Sequence, residues 1–203
     1  MSPSSLSVRV AVACVGVLVL CSGLTACSHD DAAAKQPATP SSTETTIAPP
    51  EGDPWPYPTP TLAPEASRDD SAGACAVAAY FMEATPYDSA HLRTDTYDKY
   101  GADDCKQCKE TARAIEDLRK RGGWSRGDRI EDIQLLSVDQ LDDGPNSWSC
   151  DFYIQEAEWE GWAPGYSKKE TKPAFASNYS VHVRRVGDTW KVFEYGVFED
   201  TAK

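Results

Sequence analysis

Histidine is scarce in this chain, with three residues in 203. His29, His91 and His182 stand far apart and none falls in an HExxH or similar ligand spacing, so they predict neither a metal centre nor a relay for a nucleophile. Positive charge is also in deficit: 20 basic side chains face 32 acidic ones, a formal charge of -12. Duplex affinity comes mainly from cations that neutralise phosphates, so nucleic acid is excluded as a partner. Glycine-rich phosphate loops and the GxSxG elbow are missing, which removes common nucleotide and hydrolase signatures. No cofactor is expected. The apolar run Val10 to Leu20 has eleven residues, too few to span about 30 Å of hydrocarbon at about 1.5 Å per residue.

That run has the length and position of the apolar core of an export signal, following a short polar segment with Arg9. After it comes Leu24-Thr25-Ala26-Cys27, small residues before a cysteine, which resembles the lipobox of bacterial lipoproteins. The resemblance implies that residues 1–26 are a signal peptide, that the Cys27 thiol carries diacylglycerol, and that the new amino group is often acylated. Two acyl chains, at about 0.8 kcal/mol per buried methylene, give a lasting anchor where one gives only marginal binding. The expectation is a protein lipid-anchored on the extracytoplasmic face of the cell membrane. The alternative is a plain secretory signal with Cys27 free or bridged.

Residues 27–67 read as a linker. Nine prolines from Pro37 to Pro64 stand among Ser, Thr, Ala and acidic residues. Too few apolar groups are present to offset about 1–2 kcal/mol of backbone entropy per residue, which predicts disorder with extended proline character. At about 3.1 Å per residue, forty such residues would reach roughly 120 Å from the membrane. Trp55-Pro56-Tyr57-Pro58 could alternatively be a docking motif for a partner.

Residues 68–203 begin helical and end in strands. Asp70 or Ser71 caps a helix with Cys75, Ala78, Ala79 and Met82 on one stripe, stopped at Thr85-Pro86. A second helix is expected from Asp88, with His91, Leu92 and Tyr97, ending before Gly101. A third opens at Asp104 and carries Cys108, Ala112, Ile115 and Leu118 before Gly122-Gly123. The period then changes to two: Ile133 and Leu135; Trp148, Cys150, Phe152 and Ile154; Tyr179, Val181 and Val183; then, past Gly187-Asp188, Trp190, Val192 and Glu194. This is an α+β domain, three helices on a curved antiparallel sheet of about four strands.

The order and size resemble the cystatin-like cone of the nuclear transport factor superfamily. The whole chain is similar to a family of uncharacterised actinobacterial lipoproteins with such a domain, through its lipobox, its proline-rich tether and Cys105-Lys106-Gln107-Cys108 opening a helix. The resemblance implies a curved sheet with a pocket at one end. It selects no function, since the cone hosts isomerases, dehydratases and binding modules alike.

Four cysteines remain in the domain: Cys75, Cys105, Cys108 and Cys150. Outside the cytoplasm an even number predicts disulfides, with three possible pairings. Cys105 with Cys108 and Cys75 with Cys150 is the favoured one, because it joins inward faces of the first helix and a strand. A redox role for the CxxC and a four-cysteine zinc site are the alternatives. Zinc would need a second close cysteine pair.

Two groups of side chains are candidate sites. Asp151 and Tyr153 share one strand face and could act as carboxylate and hydroxyl inside a cone pocket, although the outer face of an amphipathic strand has the same composition. Trp159, Trp162 and Tyr166 cluster among acidic residues in what reads as a loop. They could stack on a glycan or anchor an envelope protein, or fold inward to close the end of the cone. The expectation is a non-catalytic binding module of the cell envelope. The alternatives are a small-molecule enzyme of isomerase or hydro-lyase type and an accessory subunit of cell-wall synthesis proteins.

Overall fold

Small side chains let the first helix press closely against a sheet. The computed structural model describes residues 46–198, so the signal peptide, Cys27 with its lipidation, His29 and the linker up to residue 45 lie outside the described residues. Helix α1, Ser71–Ala90, starts where the Asp70 carboxylate accepts from the Gly73 amide at 3.2 Å, the usual N-cap arrangement. Gly73 is needed by contact: a Cβ there would lie 2.1 Å from the Arg68 carbonyl oxygen. Ala74, Val77, Ala78 and Phe81 are buried on the sheet.

The expected stop at Pro86 does not occur; the helix runs on to Ala90. Proline lacks the N–H that would bond the Met82 carbonyl. The Thr85 hydroxyl donates to that same oxygen at 3.3 Å and satisfies it instead. Asp88 therefore does not open the second helix, and α2 is Asp95–Tyr100. The Asp88 carboxylate, 2% exposed, reaches over to accept from the Thr96 amide at 2.6 Å, capping α2 from within α1. Helix α3, Lys106–Lys120, is capped by Cys105, whose sulfur accepts from the Cys108 amide at 3.1 Å. Asp104, expected at that cap, instead pairs with Arg184 at 2.5 Å.

Among the described residues the strands form two antiparallel sheets, one more than expected. The larger contains β2 (Ile130–Gln140), β3 (Ser147–Glu156), β6 (Phe175–Val186) and β7 (Thr189–Val197), in the order β2-β3-β6-β7. Cys150, Phe152, Ile154, Val181, Val183, Trp190 and Val192 face the core. In β7 the inward alternation shifts after Val192, because Val183 pairs with Val192 and His182 with Glu194, leaving Phe193 as an extra residue. Glu194 consequently points outward and Tyr195 inward, its ring 5.3 Å from that of Phe81. The smaller sheet consists of β1 (Trp124–Gly127), β4 (Trp159–Trp162) and β5 (Glu170–Lys172), in the order β1-β4-β5. The expected loop around Trp159 is thus partly strand.

Disulfides join Cys75 to Cys150 and Cys105 to Cys108. All four cysteines are buried. An attacking thiolate needs access to sulfur, so the CxxC is a poor redox exchanger in this state.

The domain starts well before residue 68. Residues 46–67, expected to be part of a disordered linker, form a strap across the domain and end in a short 3-10 turn, Pro64–Ser67. Trp55 is 4% exposed and sits edge-on to Tyr87 at 5.6 Å, while Arg129 stacks over Tyr57 at 4.4 Å. The strap lacks a core of its own but uses the domain's apolar surface, and its prolines, fixed in φ, lose little entropy on docking. Trp55-Pro56-Tyr57-Pro58 is docked within its own chain.

Candidate functional site

An aromatic cleft of about 270 Å³ lies between the C-terminal half of α3 and the smaller sheet. Its walls are Trp124, Trp159, Trp162 and Tyr166 with Ala114 and Leu118 from α3, and its rim carries Asp117, Arg121, Lys168 and Glu170. The backbone dictates this grouping. Trp124 and Trp162 are direct cross-strand partners in β1 and β4, and both are buried. Gly161 leaves room for the half-buried Trp159 ring, because a Cβ there would lie 2.6 Å from it.

The three indole N–H groups are committed inside the chain. Trp124 donates to the Ile47 carbonyl at 3.0 Å, Trp159 to the Ser125 hydroxyl at 2.8 Å and Trp162 to the Tyr166 carbonyl at 2.9 Å. These bonds fix the rings, so the cleft offers preformed ring surface. Arg121 donates to the Pro164 carbonyl and to Asp117, the latter at 3.3 Å, tying α3 to the turn that carries Tyr166. Tyr166 itself is 52% exposed.

Of the three aromatic residues singled out by sequence, Trp162 is a buried wall, Trp159 is half-buried and Tyr166 is exposed. Trp124 and Arg121 escaped notice, and Leu118 was read only as part of a helix face; the pairing of β1 with β4 brings Trp124 to the cleft, and the end of α3 beside that sheet brings the other two. Asp151 and Tyr153 line neither the aromatic cleft nor the cavity beside β2. Alternation along β3 turns them to the face opposite Cys150, Phe152 and Ile154, and Asp151 accepts there from Ser137 at 2.7 Å and Ser149 at 3.1 Å. His91 Nδ1 lies 2.9 Å from the Tyr87 carbonyl and His182 Nδ1 lies 3.2 Å from Glu194. Among the described residues no group of three or more His, Cys, Asp or Glu side chains is placed to hold a metal.

An ionic cluster, buried at Glu156 and half-exposed at Lys172 and Asp128, joins the two sheets. Glu156 accepts from Tyr179 at 2.6 Å and from Lys172 at 2.9 Å, and Lys172 also reaches Asp128 at 3.2 Å. Burial pushes the Tyr179 hydroxyl well above its ordinary value, and the Glu156 carboxylate adds to this. Burial would lower the Lys172 ammonium, but Glu156 and Asp128 outweigh it and the net shift is upward. The Asp128 carboxyl is raised by burial. A second cavity, about 480 Å³, opens between α1 and β2, lined by Ile133, Leu135, Val138 and Phe152 with Glu65 and Ser71 as its polar groups.

Among solved structures, the intermembrane-space region of the chloroplast protein ARC6 has a similar fold, with 12% identity and a TM-score of 0.54 over 66% of this chain and 99% of that one. A putative calcium/calmodulin-dependent protein kinase II association domain from Xanthomonas campestris matches at 12% identity and a TM-score of 0.34, over 71% and 98%. RPA3114, a SEC-C motif containing protein from Rhodopseudomonas palustris, matches at 8% and 0.32, over 59% and 77%. At such identities the likeness is one of fold alone. No curated protein shows significant similarity to the chain. A family of unknown function, DUF6318, matches residues 49–195, from within the strap to β7, and the chain belongs to that family.

Proposed function

We propose that this protein is an extracytoplasmic lipoprotein of actinobacterial type, a non-catalytic binding module whose ligand enters the aromatic cleft. The observation that carries the reading is the cleft itself, three tryptophans locked by internal hydrogen bonds around an exposed tyrosine. Rigid apolar walls with few convergent polar groups suit capture by stacking better than proton transfer. Two disulfides agree with an oxidising compartment, and Leu24 to Cys27 supplies the anchor. In this reading the four-stranded sheet and α1 form a cystatin-like cone, whose apolar cavity beside β2 is secondary.

Cells expressing wild type, Cys27→Ser or Tyr166→Ala test both halves. Cys27→Ser should move the protein from the membrane to the soluble fraction and remove the lipid mass from its N-terminal peptide. An unmodified thiol at position 27 in native protein refutes the anchor. Tyr166→Ala should remain anchored and folded but lose the envelope component cross-linked to wild type. An unchanged cross-linking pattern refutes the cleft as the binding site.

A further inference from the structure

We infer that the aromatic cleft takes an extended proline-rich strand of a partner protein; this rests on the reading of the cleft as the ligand site. The chain already displays the recognition on its own strap. Pro54 and Pro56 share a cavity with Trp159, and the Ile47 carbonyl accepts from the Trp124 indole at 3.0 Å. Arg126 donates to the Glu51 carbonyl at 3.4 Å. Aromatic faces for proline rings, together with N–H donors for carbonyls that make no internal bonds, are what an extended proline helix requires of its receptor.

The cleft continues that seat. Trp124 bonds to the strap and walls the cleft, Trp159 lines both cavities, and Trp162 and Tyr166 extend the aromatic surface beyond the strap. Arg121, which already donates to the Pro164 carbonyl, and Lys168 stand at the rim as donors. With all three indole N–H groups engaged within the chain, the cleft itself offers ring faces, and the free donors stand at its rim. Proline-rich segments also arrive nearly ordered, which reduces the entropy lost on binding.

The test titrates the full chain with decaproline and, separately, with an N-acetylglucosamine tetrasaccharide, following tryptophan fluorescence and amide chemical shifts. Decaproline should bind saturably, shift resonances of Trp159 and Tyr166, and bind at least about tenfold more weakly to Tyr166→Ala, with an unchanged melting temperature. Decaproline binding that ignores Tyr166→Ala would mean displacement of the strap and overturns the inference. Failure of decaproline to bind overturns it too. If the tetrasaccharide then binds in a Tyr166-dependent way, the cleft remains the ligand site with a different ligand. If neither probe binds and Tyr166→Ala leaves cellular cross-links unchanged, both readings fall.

Discussion

Glu156 is 7% exposed and its carboxylate is held by a phenol from β6 and an ammonium from β5. Tyr179→Phe removes one of the two, and a hydrogen bond to a charged group is worth about 1.5–3 kcal/mol, so denaturant unfolding should shift by that amount. The same cluster sets an alkaline limit. Lys172 and Tyr179 are both raised above their ordinary values of 10.5 and 10.0, so folding favours their protonated forms. Their contribution is complete below about pH 10 and fades as the pH rises through the folded-state values. Melting temperature should therefore drop above that point, and Tyr179→Phe should show a shallower drop; a flat profile to pH 12 would count against the cluster. At this scale Trp159, Trp162 and Tyr166 were legible because they crowd one short stretch. Trp124 and Lys172 were not, because their proximity depends on strands of four residues or fewer.

Helix α1 illustrates what local rules miss. Proline at position 86 reads as a terminus, yet the helix continues, and the Thr85 hydroxyl satisfies the Met82 carbonyl that proline cannot bond. Thr85→Val keeps the shape and removes that donor. It should cost about 1 kcal/mol and speed hydrogen exchange in residues 87–90 while α3 stays protected. The larger sheet was readable because Trp148, Cys150, Phe152 and Ile154 keep strict alternation. In β7 the same logic misassigned Glu194, since one inserted residue, Phe193, inverts the faces after Val192. The smaller sheet gave no signal, its strands being too short to establish a period and interrupted by Gly127 and Gly161.

For the molecule as a whole, the Cys75–Cys150 bond ties α1 to β3 across 75 positions of sequence. Replacing both cysteines with alanine should lower stability by about 4–5 kcal/mol in the chain-entropy account, read by guanidinium unfolding. The Cys105–Cys108 bond spans three positions, and its loss should matter much less to the unfolded ensemble. Trp55→Ala should release the strap without unfolding the rest. Limited proteolysis would then cut between residues 46 and 61 while the fragment beyond keeps its melting transition; an uncut strap would refute its dependence on Trp55. Composition hid this element, because proline and threonine gave no hint that the domain would lend them a surface. The strap also shortens the leash. From Cys27 to Ile47 is twenty residues, no more than about 70 Å fully drawn out, so a lipid-held head would patrol a thin shell above the bilayer and meet only what passes close to it.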